Sequence, residues 1–287
     1  MPTPSNRFFP RFSLLIACLS ASCIACSAAK LAPFAHIEAL EIRECSGIVQ
    51  SRKQDDIYWV HNDSNGGSKL YAIRKNGILA TAFDTGARNV DWEDITTDDS
   101  GNLYIGDFGN FENTRRDLVI HKIREPLGNT PPAFNERTSF RFAYPEQTRF
   151  PPPKRIFDCE ALFWANGYLF ILTKSLGETT TRLYRFDSLD PDKLNNPTQI
   201  GQFDIGPRVT GADASPDGRR LAILTERSVW VFERPAQSDN YLEGSVKTRF
   251  IQAGQCEAIC WVSPQELLIA NEDRALFSVT LDSLIEY

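Results

Sequence analysis

The sequence predicts an all-β chain that closes into a single five-bladed β-propeller of four-stranded blades. A short unit recurs five times along the 287 residues. Four strand signals follow one another in each of the first four units, and a strand-like segment ahead of the first unit supplies the strand that the last unit lacks. Repeats of about 45–65 residues with four strands each are of propeller size.

The chain opens on a segment of another kind. Arg7 and Arg11 give it a positive start, and residues 12–29 form an uncharged run of Leu, Ile, Ala, Ser and Cys. That pattern, over 1–29, reads as an export signal. A permanent membrane span is the rival, but Ser and Cys dilute the run and small residues close it, which suits processing. Small residues ahead of Cys23 and Cys26 resemble a lipoprotein signal, whereas Cys18 lies too close to Arg11. Cys26 is the favoured lipidation site over Cys23, with plain cleavage after Ala29 as the alternative. Each route leads to the periplasm, the outer membrane or the medium, with membrane contact only through a lipid anchor.

Residues 30–287 read as the propeller. Segment 36–42 is the closing strand, and the blade units span about 44–86, 90–147, 157–206, 208–252 and 255–285. The inner strands align as Cys45-Ser46-Gly47-Ile48, Trp92-Glu93-Asp94-Ile95, Cys159-Glu160-Ala161-Leu162, Thr210-Gly211-Ala212-Asp213 and Cys256-Glu257-Ala258-Ile259. Turn signals such as Pro216-Asp217-Gly218 come next in the later units. Apolar second strands follow, among them Ile57-Tyr58-Trp59-Val60 and Leu169-Phe170-Ile171-Leu172, and then alternating third strands such as Leu183-Tyr184-Arg185-Phe186. Residues 78–83, 139–144, 199–205 and 246–251 are the polar fourth strands. Pairing the N-terminal segment with the last unit closes the ring and removes an open edge. A β-sandwich needs no recurring unit. A six-bladed ring would have to draw a blade from 111–158, where one long unit is visible.

Inner strands line the channel of a propeller, so the starts of inner strands and the ends of second strands converge on one face. The first ring is Ser46, Glu93, Glu160, Gly211 and Glu257. The second is Asn62, Asp107, Thr173, Thr225 and Asn271, followed by Asp63, Phe108, Lys174, Glu226 and Glu272. Three glutamates around one axis repel unless a cation, proton or donor intervenes. Glu93, Glu160 and Glu257 are therefore the metal candidates, with calcium the natural ion because it takes carboxylate and amide oxygens in loose geometry. The alternative is that each accepts backbone N–H groups and stitches the ring. Expected ligand contacts are Asn62, Asp107, Asn110, Arg115, Arg116, Lys174, Glu226, Asn271 and Glu272.

His61, helped by Asp63 or Asp107, is the catalytic candidate, with a hydrogen-bonding turn histidine as the alternative. Arg115, Arg116, Lys154 and Arg155 form an expected basic rim that suits a metal-bridged anion such as phosphate. The long insertion of the second unit, with Pro151-Pro152-Pro153, reads as a lid or specificity loop. Cys45, Cys159, Cys256 and Cys260 read as buried thiols, with a Cys45–Cys256 bridge as the alternative. No zinc spacing, serine-hydrolase elbow, phosphate-binding glycine loop or dinucleotide fingerprint occurs. A net charge of -6 argues against nucleic acid as a partner.

The segments His61-Asn62-Asp63-Ser64, Asp91-Trp92-Glu93-Asp94, Tyr104-Ile105-Gly106-Asp107 and residues 210–218 resemble those of a family of exported bacterial propeller proteins without an assigned activity. That resemblance covers most of the mature chain and implies fold and location. More distantly, the inner-strand glutamates are similar to those of calcium-binding propellers such as phytases and gluconolactonases, which implies a channel metal. Ser46 and Gly211 depart from that pattern. The expectation is a non-enzymatic envelope propeller that binds a small molecule, a glycan or an envelope protein. The alternative is a calcium-dependent hydrolase of a phosphate ester, lactone or glycan fragment.

Overall fold

The computed structural model describes Met1 and residues 28–64, 66–128, 137–206 and 208–287. The expected export signal, with Cys23 and Cys26, lies outside the described residues, Met1, Ala28 and Ala29 apart. Two short N-terminal strands, β1 (Ala29–Lys30) and β2 (Ala35–His36), precede the five blades. The first blade is β3 (Cys45–Gln50), β4 (Tyr58–Asn62), β5 (Lys69–Ile73) and β6 (Leu79–Asp84). The second is β7 (Trp92–Thr97), β8 (Asn102–Asp107), β9 (Val119–Arg124) and β10 (Thr138–Arg141). The third is β11 (Arg155–Ala165), β12 (Tyr168–Leu176), β13 (Thr180–Phe186) and β14 (Thr198–Asp204). The fourth is β15 (Val209–Ala214), β16 (Arg220–Thr225), β17 (Ser228–Glu233) and β18 (Val246–Gln252). The fifth joins β19 (Cys256–Ser263), β20 (Glu266–Asn271) and β21 (Ala275–Thr280) to β2. The five-bladed ring closed by an N-terminal strand is thus present as expected.

The closing strand is shorter than expected. Only Ala35 and His36 pair with β21, opposite Leu276 and Ala275. Residues 37–42 leave the sheet because Ile37, Ala39 and Ile42 turn inward and fill the wedge between the fifth and first blades. A last strand, β22 (Ile285–Glu286), pairs with β18 at Lys247 and Thr248, while β1 lies parallel to β18 at Ile251 and Gln252. β1 and β22 therefore cover the outer edge of the fourth blade, which would otherwise offer free backbone groups.

An apolar cluster fills each of the five junctions between neighbouring blades. Trp59, Trp92, Trp230 and Trp261 are fully buried there. Burial of a large apolar side chain contributes roughly 1.5–3 kcal/mol, so the faces of the blades rather than the channel hold the ring. The four cysteines Cys45, Cys159, Cys256 and Cys260 are free and buried. No Cys45–Cys256 bridge forms; Cys45 packs in the junction of the fifth and first blades, and Cys256 in that of the fourth and fifth.

Every inner strand slips register by one residue at the same level: between Cys45 and Gly47, Trp92 and Asp94, Cys159 and Ala161, Val209 and Gly211, and Cys256 and Ala258. A bulge re-aims the extra side chain. Here the extra residues are Ser46, Glu93, Glu160, Thr210 and Glu257. The fourth unit thus aligns one residue earlier than its sequence suggests, and Thr210 rather than Gly211 joins the ring. Its Gly211-Ala212 pair mimics the small residues of the other units, which hides the slip.

Candidate functional site

One face of the channel carries a concentration of carboxyl groups. The bulge at Glu93 and the end of β4 bring Asp63, Asp91 and Glu93 together, with one oxygen from each lying within 4.8 Å of the others. Asp158 and Glu160 lie close enough to perturb each other's ionisation. Lys174 Nζ donates to Glu160 Oε2 at 3.0 Å. Glu257 and Glu272 stand beside Lys174 and Asp63, close enough to feel their charges.

The electrostatic strain is high. Burial, reinforced by Glu160, Asp63, Asp91 and Asp158, raises the Glu93 carboxyl well above the usual range. Burial and Asp158 do the same to Glu160, against the opposing pull of Lys174. Burial chiefly pushes Glu257 up to about 7, and burial with Asp63 pushes Asp91 up to about 6. Burial works against the charge on Lys174, but Glu160, Glu257 and Glu93 outweigh it and hold its pKa up. Among the described residues, no donor hydrogen-bonds the Glu93 carboxylate, although the residue is only 8% exposed.

Asp63, Asp91 and Glu93 fit a calcium ion. All three donors are hard carboxylate oxygens, and opposite ligands of calcium stand about 4.6–5.2 Å apart. Gly109 leaves the space open, since a β-carbon there would fall 2.0 Å from Glu93 Oε1 and 2.5 Å from Asp91 Oδ2. Of the expected metal candidates, Glu93 is in this cluster. Glu160 is bound to Lys174, and Glu257 lies further round the ring.

None of the three glutamates accepts a backbone N–H of the next blade among the described residues. Other side chains perform that stitching. Asp94 accepts Leu162 N at 2.8 Å and Ala212 N at 3.3 Å, Asp213 accepts Trp261 N at 2.9 Å, and Thr96 accepts Trp164 N at 3.1 Å. Ser46 and Thr210, the two hydroxyl members of the bulge ring, donate to Glu93 O and Cys256 O.

The ends of the second strands serve the loops. Asn62 accepts from Arg43 N and Glu44 N, Asp107 accepts from Val90 N and Asp91 N, and Asn271 accepts from Ala275 N while donating to Ala253 O. Each fixes the approach to an inner strand. Asn110 is likewise committed, bonding Asp158 and Phe157 across the blade junction. Asp63 itself is half-buried at the mouth, where its N–H reaches Glu44 O.

Each residue of the expected basic rim has a neighbour within the chain. Arg115 bonds Asp107 Oδ1 and Gly109 O, both at 2.9 Å, and Arg116 lies over the Phe150 ring. Lys154 faces Glu178, Arg155 faces Glu112, and Glu226 pairs with Arg208. In the proline-bearing insertion, Gln147 donates to Asn113 O at 2.9 Å.

His61 has no access to a ligand. Its ring is fully buried, with Nδ1 against Asn62 O and its edge on Trp92, and burial lowers its pKa to about 4. The side chain points between the first two blades because β4 is buried on both faces.

Asp91 and Asp158 are not among the metal, catalytic or ligand residues expected from the sequence. Both stand two residues ahead of a bulge glutamate, as Asp91-Trp92-Glu93 and Asp158-Cys159-Glu160. That repeated spacing of two acids was the available signal.

No protein-family model and no curated protein matches the chain. Solved structures that resemble it include one titled a "putative gluconolactonase", with 11% identity and a TM-score of 0.49 over 84% of this chain and 75% of that one. A gluconolactonase from Xanthomonas campestris shows 12% identity and a TM-score of 0.46, over 84% and 72% of the two chains. The complex of KlAtg21 with the coiled coil of AgAtg16 shows 13% identity and a TM-score of 0.38, over 85% and 70%. Likenesses this loose do not bear on activity.

Proposed function

We propose that this protein is a binding propeller that holds a divalent cation, calcium, at the mouth of its channel and fixes a ligand there without turning it over. The observation that carries this reading is the convergence of Asp63, Asp91 and Glu93 within 4.8 Å. An unpartnered, buried Glu93 and the space left by Gly109 support it. Mutual repulsion among the surrounding acids is what a cation relieves. A seat in the cell envelope rests on residues 1–29, and cell fractionation of wild type against Cys26→Ser tests it.

Calcium titration by calorimetry, with thermal melts in calcium and in chelator, tests the cation on the full chain. Saturable binding that Glu93→Gln weakens at least tenfold supports it. Equal melts in calcium and chelator, without a binding heat, would overturn it and leave the acids structural.

A hydrolase is the second reading, favoured by Glu257, whose pKa of about 7 suits proton transfer near neutral pH. A panel of lactones, phosphate esters and glycan fragments tests it. Turnover that is lost on chelation and in Glu257→Gln would favour it over plain binding.

A further inference from the structure

The three acids of the cation cluster come from two blades. Asp63 follows β4 of the first blade, whereas Asp91 and Glu93 flank Trp92 at the start of β7 in the second. Backbone ladders within either blade do not set the gap between them. The side chain of Asn89, in the linker from β6 to β7, spans it. Its Nδ2 donates to Asp63 O at 2.9 Å and to Gly67 O at 3.2 Å, and its Oδ1 accepts Trp92 N at 3.1 Å. An amide carries donors and an acceptor together, so one side chain grips both the residue that bears Asp63's carboxylate and the residue between the other two.

A second device holds Asp91. Its N–H goes to Asp107 Oδ1 at 3.0 Å, and its carbonyl accepts Phe108 N and Gly109 N, both at 3.1 Å. Asp107 is buried, and Arg115 Nη2 meets its Oδ1 at 2.9 Å. Arg115 Nη1 donates to Gly109 O at 2.9 Å. One guanidinium thus fixes the acid that positions Asp91 and the glycine that leaves room for the ion, which a fork of donors can do and an ammonium cannot. Arg115 offers no acceptor to a metal, and it lies close enough to Asp91 to lower its pKa. By charge alone it would repel a cation, so what it offers the site is geometry.

We propose that Asn89 and Arg115 are positioning residues of the cation site. Asn89 sets the separation of Asp63 from the Asp91 and Glu93 pair, and Arg115, through Asp107 and Gly109, sets the place of Asp91. This rests on the cation reading above.

The test is calcium calorimetry on full chains carrying Asn89→Asp, Arg115→Ala or Arg115→Lys, each first shown to be folded by its melt in chelator. Asn89→Asp keeps the acceptor for Trp92 N and loses the donor to Asp63 O; Asn89→Ala replaces it should that variant not fold. Asn89→Asp and Arg115→Ala both make the mouth more negative, so charge alone predicts tighter calcium binding. Loss of position predicts the reverse, and groups that orient metal ligands typically account for about 10–100-fold in affinity. Both variants are therefore expected to bind calcium roughly tenfold or more weakly. Arg115→Lys keeps the charge and a donor for Asp107 but not the fork, and should recover part of the loss. Unchanged or tighter binding in Asn89→Asp or Arg115→Ala, beside normal binding by wild type, overturns this proposal alone, whatever happens to the melt. No calcium binding by wild type overturns the cation reading and the proposal together.

Discussion

Asp94, on the inner strand of the second blade, accepts the backbone N–H of Leu162 in the third at 2.8 Å, and the same oxygen reaches Ala212 N in the fourth. The equivalent positions of the other blades are Gly47, Ala161, Gly211 and Ala258. Four small residues thus leave room for one carboxyl to cross the channel beneath the mouth. An inner strand has one edge without a ladder partner, and buried N–H groups on that edge must find another acceptor. Asp94→Ala strands those N–H groups and is expected to cost roughly 2–4 kcal/mol. Asp94→Asn, which keeps an acceptor, is expected to cost less than half of that. Urea unfolding midpoints read both, and an unchanged midpoint in the alanine variant would refute the stitching role.

Cation binding and folding separate at Gly109. The atoms that a β-carbon there would strike are the ends of the Glu93 and Asp91 side chains, which can swing aside. Gly109→Ala is therefore expected to change stability by less than about 1 kcal/mol while displacing two of the three oxygens offered to the ion. Calcium affinity should fall at least tenfold. Full retention of affinity would remove the cluster from consideration as the site.

The neighbouring case has the opposite sign. A β-carbon at Gly47 would stand 2.3 Å from His61 Nε2 and 3.0 Å from the backbone nitrogen of Ile95. The ring of His61 is enclosed and the Ile95 backbone belongs to β7, so neither can retreat. Gly47→Ala is expected to destabilise by roughly 1–3 kcal/mol, the usual cost of overpacking, and to leave calcium affinity unchanged in the folded fraction. A neutral effect on the melting temperature would show that the inner strands are looser than their spacing implies.

Periodicity made the ring legible, because each blade repeats the same alternation of buried and exposed strands. Local sequence could not show the bulge. Without it, Gly211 aligns with the glutamates, and Asp94 looks like part of the strand rather than a plug. His61 looked reactive for a similar reason. Its neighbours Asn62 and Asp63 are polar, and only the burial of β4 on both faces shows that the ring points into a blade junction. The partners of the basic rim were not legible, because they depend on contacts such as Arg155 with Glu112, which sequence distance conceals.

Thiol chemistry follows burial. Cys45 and Cys256 are pushed up to about 12 by desolvation, and Cys159 and Cys260 are raised as well. The thiolate is the reactive form, so all four should resist alkylation in the native protein. Peptide mass mapping after iodoacetamide treatment is expected to find these four modified only in denaturant. Rapid native modification of Cys45 or Cys256 would contradict the packing of their junctions.

Acid at the mouth should make stability and calcium pull in opposite directions with pH. Glu257 ionises at about 7 in the folded protein, against an ordinary value of 4.5. Between those two pH values the folded state holds more proton than the unfolded one, so stability falls as pH rises through the window. Asp91 and Asp158, each at about 6, act in the same direction. His61 and His121, lowered to about 4 by burial, act the other way, because acid must charge them on unfolding. A direct pH profile mixes these effects, and a comparison with Glu257→Gln isolates one. In chelator, the variant's melting temperature should gain on wild type steadily from pH 5 to pH 8, and then level off. Calcium at the mouth favours the ionised carboxylate, so saturating calcium should shrink that gain at pH 8. A gap that neither grows with pH nor responds to calcium would mean that Glu257 is already ionised at pH 5 and feels no cation.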